Sequence, residues 1–230
     1  MPATAPEARE VARRSGLTKS TIMREALRIV DQRGADSLTM RRLGSALGVE
    51  AMSLYHHVRN KDALVDGLAE LLMRRVPVTS PDEPWSAAVR AFAIGIRKVA
   101  AAHPAAFTLV GMRPLGAQIA LRPVGSLIAR LHSAGLSPES SVAAFRLIAV
   151  FSRGFALAEI SGFTLADMSW PDAPHAEAAE ALAPFATALC AGHDAAFHQA
   201  LDVIVNGIDA QLRSQASKRD TGRPKRVAGR

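Results

Sequence analysis

With 230 residues, 49% of them hydrophobic, the chain can bury a sizeable core in one large domain or two small ones. A single cysteine, Cys190, excludes an intrachain disulfide and a cysteine metal cluster, and neither an N-terminal signal stretch nor a run of about 18 apolar residues is present, so the expected location is cytoplasmic with no membrane span. The net charge of +7 lies at the ends: residues 1–75 carry 13 Lys and Arg against 9 Asp and Glu, residues 76–212 carry 8 against 11, and residues 213–230 carry 7 against 1, which suits a polyanion at the ends and argues against one in the middle.

Met1–Gly16 is rich in Ala, Pro and Arg without periodicity. It reads as a mobile arm, either a solvated tail or a segment that touches DNA phosphates. Thr18 is a natural N-cap for a helix over Lys19–Arg33, with Ile22, Ala26, Ile29 and Val30 on one face and Gly34 at its end. Thr39 can cap a short helix carrying Leu43, Ala46 and Leu47 on one side, and Gly48 suits the left-handed turn that ends it. A second short helix follows Glu50 and runs to about His56. Leu54 and Val58 are its buried side, and Ala51, Met52, Ser53, Tyr55 and His57 face outward. Two short helices around a tight glycine turn form a helix-turn-helix, whose second helix enters the DNA major groove.

Asn60 caps a further helix, Lys61–Arg75, with Leu64, Leu68, Leu71 and Leu72 aligned. Pro77, Pro81 and Pro84 then mark a boundary. Trp85–His103 carries the stripe Val89, Phe92, Ile96, Val99, and Pro104 interrupts it; Phe107–Pro114 reads as a short helix and turn. Gln118–Ala134 is helical, with Pro123 either starting or kinking it. Ser137 and Pro138 open a long helix, Glu139–Ile160. Gly162–Pro174 is a loop, and a weaker helix covers His175–Leu189. Asp194–Ser214 shows a strong stripe, Phe197, Leu201, Ile204, Val205, Ile208 and Leu212, and the basic tail 215–230 is expected to be disordered. The fold class is therefore all-α: a three-helix helix-turn-helix domain over 17–75 and a larger helical domain over 76–214.

The spelling carries more than the pattern. Leu-Thr-Met-Arg-Arg-Leu at Leu38–Leu43, Leu-Gly-Val-Glu at Leu47–Glu50, Ser-Leu-Tyr-His-His-Val at Ser53–Val58 and Asn-Lys-Asp-Ala-Leu at Asn60–Leu64 together resemble the DNA-binding domain of the tetracycline-repressor (TetR) family, over Leu17–Leu72 without a gap. Val-Gly-Met-Arg-Pro at Val110–Pro114 and the order of helices resemble the effector-binding and dimerisation domain of the tetracycline-repressor branch. The resemblance implies a dimeric regulator, a repressor released from a palindromic duplex-DNA operator by a small molecule. The alternative is a constitutive DNA-binding protein or activator without an effector.

Carried over by position, Met40, Arg41, Ala51, Met52 and Ser53 are candidates for base contact, and Tyr55, His57 and Lys61 for phosphate contact. Arg can grip guanine bidentately, whereas Ala and Met make only apolar contact, as with a thymine methyl. Arg42 reads as solvated or salt-bridged. A magnesium-holding His of the tetracycline branch is matched by Leu109, a drug-binding His by Pro77, and a Glu by Ala158 with Glu159 beside it. The expectation is instead a largely apolar pocket of Phe92, Ile96, His103, Phe107, Leu109, Met112, Leu127, Phe151 and Phe155, with His103, Arg113 or Glu159 as polar anchors. No cofactor and no metal site is expected; His56 and His57 are adjacent on a helix and point about 100° apart. Glu139–Ile160 and Asp194–Ser214 resemble the family's dimer helices, with Val203, Gly207 and Ala210 allowing close approach. Thr221–Arg226 is similar to the Gly-Arg-Pro core of an AT-hook, against a plain basic tail. No nucleophile elbow, phosphate loop or His-Glu metal motif supports an enzyme.

Overall fold

The computed structural model describes residues 17–111, 113, 123–162, 183–185 and 192–221. Met112, the arm 1–16, the loop beyond Gly162, most of the helix expected over His175–Leu189, Cys190 and the chain after Thr221 lie outside the described residues. Within the described residues the chain is helical and contains no strand: α1 Lys19–Arg33, α2 Met40–Leu47, α3 Ala51–Tyr55, α4 Lys61–Met73, α5 Trp85–Ala102, α6 Pro104–Val110, α7 Pro123–Ser133, α8 Pro138–Ile160 and α9 His193–Thr221.

The chain forms two compact units, 1–78 with 94–125 and 79–93 with 126–230. In the first, Ile22, Ala26, Ile29 and Val30 of α1 are buried with Leu43, Leu54, Leu64 and Leu68 of the following helices, which is the face expected from their spacing. The helix starts are set by side-chain caps. Thr18 Oγ1 accepts from the Thr21 N–H at 3.1 Å, and Asn60 Oδ1 accepts from the Ala63 N–H at 2.8 Å, each satisfying a donor the helix leaves open. One correction concerns Pro104. It does not merely interrupt a helix but takes the first position of α6, where its missing N–H costs nothing. Gly67 sits where a Cβ would lie 2.4 Å from the Met23 sulfur, so the Met23 side chain of α1 rests directly on the backbone of α4.

In the second unit, Phe197 of α9 is completely buried and stacks on Phe151 of α8 at 5.4 Å, with Phe155 edge-on at 5.1 Å. Phe92 meets Phe145 at 6.0 Å, and Arg90 pairs with Asp202 at 2.6 Å. Among the described residues α7 runs from Pro123 to Ser133, and residues 118–122 of the helix expected over Gln118–Ala134 lie outside the described residues. One expectation changes here. The last helix runs past Ser214 to Thr221, and the disordered tail therefore does not begin at 215. The physical reason is Gln215: its carbonyl accepts from the Ser137 N–H at 2.9 Å and its amide donates to Ser140 Oγ at 2.9 Å, so the end of α9 is pinned to the cap of α8. One helix, Pro138–Ile160, is long and apolar enough to cross a membrane by length and composition alone. It differs from the expectation that no segment would pass that test.

Candidate nucleic-acid interface

The surface around α3 is built by local rules. Thr39 Oγ1 accepts from the Arg42 N–H at 3.2 Å and starts α2. Gly48 ends it at φ 71°, ψ 29°, a left-handed conformation that suits glycine. The Val49 N–H reaches back to the Gly44 carbonyl at 3.0 Å, closing the helix end. Gly44 itself is the tighter constraint. A Cβ there would lie 2.8 Å from the Val49 oxygen and 3.1 Å from the Ala51 nitrogen. The close approach of the turn to α2 thus depends on a glycine that reading the Gly48 turn alone did not single out. Leu54 and Val58 are buried and hold the five-residue α3 on its neighbours.

What remains faces out. Met52 is 70% exposed and Tyr55 43%. Arg41, His57 and Lys61 are exposed, and Met40, Ala51 and Ser53 half-buried. Arg42, expected to be solvated or salt-bridged, is exposed, and its guanidinium donates to the Ser37 carbonyl at 3.1 Å. His56 and Arg59 are also exposed beside His57 and Lys61. A count of cations between Tyr55 and Lys61 would have added Arg59. Exposed positive and hydrogen-bonding groups on both sides of a short exposed helix match the needs of a phosphate-flanked groove.

The comparisons with known proteins agree with this geometry in both halves of the chain. The sequence family described as bacterial regulatory proteins, tetR family, matches residues 22–68, and the family described as tetracyclin repressor-like, C-terminal domain, matches residues 76–212. The chain belongs to the TetR family. It is 33% identical over 197 residues to the class A tetracycline repressor protein from transposon 1721 of Escherichia coli, covering 84% of this chain and 90% of that protein. The crystal structure of apo ActR from Streptomyces coelicolor is 30% identical, with a TM-score of 0.71 over 84% of this chain and 97% of ActR. ActR in complex with actinorhodin matches at 27% identity and a TM-score of 0.73, over 86% of this chain and 98% of ActR. This TetR-family member is accordingly a DNA-binding transcriptional regulator.

The residues expected to line an effector pocket are divided between the two compact units. Ile96, His103, Phe107, Leu109 and Arg113 belong to the first, and Phe92, Leu127, Phe151, Phe155 and Glu159 to the second; Met112 lies outside the described residues. Phe92, Ile96, Phe107 and Leu127 are buried. Leu109, Phe151, Phe155 and Glu159 are half-buried. Phe151 and Phe155 come together, but on Phe197, as ordinary core does. Two expected anchors already have protein partners. His103 Nδ1 lies 2.7 Å from Asp31, and Arg113 lies 3.1 Å from Asp62 and 3.6 Å from Asp66. The donor set does not fit a tetracycline-held magnesium ion: Leu109 and Ala158 offer no ligand atom, and Pro77 packs against Gly95, where a Cβ would meet its Cδ at 2.4 Å. No group of three metal-ligating side chains occurs among the described residues. Arg153 on α8 is held below the usual guanidinium range by burial.

Proposed function

We propose that this TetR-family regulator is a homodimeric repressor that reads a palindromic operator and is released from it by a small, largely apolar effector. The observation that carries the reading is the exposed surface of α3, with Met52 and Tyr55 outward and Arg41, His57 and Lys61 exposed beside it. Met40, Arg41, Ala51, Met52 and Ser53 address base edges, and Tyr55, His57, Arg59 and Lys61 address phosphates. Two such helices related by a two-fold axis reach half-sites about 34–36 Å apart, one DNA turn. Activity on DNA places the protein in the cytoplasm with the chromosome.

An outward apolar stripe supports the dimer. Leu147 and Val150 of α8 and Val203 of α9 are 53%, 72% and 71% exposed, with Ala143 and Gly154 on the same face of α8 and Gly207 and Ala210 on that of α9. The spacing of Ala143, Leu147, Val150 and Gly154 repeats in steps of four and three, the seam of packed helices. A second copy covering this face also accounts for the apolar character of Pro138–Ile160 without a membrane. The functional division is a reading head over 17–75 and an effector-binding and dimerisation domain over 76–214.

The effector reading is supported by the relative ActR, which is described in complex with actinorhodin, and by the replacement of tetracycline-branch polar ligands with Leu109, Pro77 and Ala158. For release to be switch-like, the effector must favour the off-state by about 5.5 kcal/mol to reverse a 1:99 population. Selection of binding sites from a random duplex pool with purified protein tests the core of the proposal. A palindrome should emerge. Recovery of no common sequence, with binding that fades uniformly as salt rises, would leave only non-specific phosphate attraction.

A further inference from the structure

The geometry points to His103 as the positioning residue that ties the reading head to the corner between α5 and α6, through a three-residue clasp with Asp31 and Arg75. The inference rests on the reading of the chain as an operator-binding regulator and deepens it by naming where a displacement of that corner acts. Asp31 lies near the end of α1, and Arg75 just past α4. His103 is the residue between α5 and α6. Its ring nitrogens face both partners: Nδ1 lies 2.7 Å from Asp31 Oδ2, and Nε2 meets Arg75 Nη1. A guanidinium has no acceptor, so Arg75 donates and Nε2 accepts. The ring proton then sits on Nδ1 and is donated to Asp31. One neutral tautomer satisfies both contacts, and no other does.

The His103 and Asp31 side chains are 15% and 28% exposed, and Arg75 lies at the surface. The clasp spans sequence separations of 72 and 28 residues, so it is a tertiary device and not a local turn. It also acts on a helix already held elsewhere by the same segment of chain. Arg113, past α6, grips Asp62 and Asp66 in the first two turns of α4. Val76 and Pro77, leaving α4, rest against Gly95 of α5. Arg113 and Gly95 meet α4 and its exit, whereas His103 also holds α1, the first helix of the three-helix unit, on which α6 itself packs. Movement of the α5–α6 corner must therefore carry α1 and the end of α4 with it or break the clasp. Either outcome changes how α3, which is carried on α2 as α2 is packed on α1, is presented to DNA.

The test uses the full-length protein, the palindrome that the wild type selects, and the variants Asp31→Ala, His103→Ala and their combination, with His103→Asn as a conservative form that keeps a donor toward Asp31. At 25 °C, where each variant is shown to be folded, each single alanine variant should bind the palindrome about tenfold more weakly. The double variant should be no weaker than the worse single one, because the residues act as a unit, and His103→Asn should bind more tightly than His103→Ala. The salt slope and the selected sequence should not change, since neither residue lies on the DNA-facing surface. A purely structural role would lower the melting temperature and leave affinity at 25 °C untouched. Wild-type affinity in both alanine variants, or losses that add, would overturn the clasp. Amide hydrogen exchange of free protein separates this from failure of the operator reading. Even if the wild type selects no sequence, Asp31→Ala and His103→Ala must speed exchange in Lys61–Met73 equally, and unchanged exchange would overturn the clasp.

Discussion

Glu25 shows what a single side chain does in the reading head. It is buried on α1, and Arg28 bridges it with Nε at 2.9 Å and Nη2 at 2.5 Å; that hydrogen bond to Glu25 raises the Arg28 pKa above its usual value. Arg28→Ala leaves a buried carboxylate without its cation, which costs about 3–5 kcal/mol. Urea denaturation should show a loss of that order, against well under 1 kcal/mol for Arg74→Ala, whose pair with Glu70 lies at the surface. On the DNA side, Tyr55→Phe with Lys61→Ala should weaken operator binding and reduce the salt slope by about 1 through the lost Lys61 contact. Unchanged affinity and slope would remove these two residues from the interface. Met52→Ala should instead leave the slope alone and alter the preferred base at one position of each half-site, visible in repeated site selection. The outward residues of this surface were legible from spelling. Gly44 was not read as special, because only the placed backbone shows that Val49 and Ala51 crowd it.

Helices in this chain are bounded by caps, and the caps were readable: Thr18, Thr39, Asn60 and Ser137 each accept from a backbone N–H three residues on. α8 offers a pH test of one such boundary. The Glu139 carboxylate is held below its usual range by its own backbone N–H first and by the Ser137 side chain second. A depressed folded-state pKa contributes stability above the unfolded-state value, and that stability is lost as pH falls through the folded one. Glu139→Gln should therefore melt at a lower temperature than the wild type near neutral pH, and the two curves should converge in acid. A difference that persists undiminished at low pH would assign the effect to something other than this charge. The end of α9 was misread as tail because its anchor, Gln215, depends on serines more than seventy positions away in sequence. Hydrophobic periodicity reports a buried face, not a polar contact at its margin.

For the whole molecule the decisive surface is the apolar face of α8 and α9. Val150→Asp with Val203→Asp places charges in the proposed two-fold seam. Sedimentation should show a folded monomer, and operator binding should fall by far more than tenfold, because one head alone loses the linked second half-site. A dimer that survives both charges would place the interface elsewhere. The polar anchors expected for an effector are where the structure adds most to the sequence. His103 and Arg113 read as groups available to a ligand, yet both are engaged with carboxylates of the reading head. That distinction depends on distant partners, and a resemblance carried over position by position contains none of this chain's own pairings.

The sequence by itself determined the helical class, the caps, the position of the helix-turn-helix and the set of residues that face outward from it. Those features follow from interactions within a few residues, namely side-chain caps, glycine turns and the 3.6-residue spacing of apolar positions. Only the tertiary structure decided the crowding of Gly44 by the Val49 and Ala51 backbone and the seating of Met23 on Gly67, the anchoring of α9 to the start of α8, and the engagement of His103 with Asp31 and Arg75. Each depends on groups the fold brings together, most from far apart in the chain, where burial and hydrogen-bond geometry, not local pattern, select the partner.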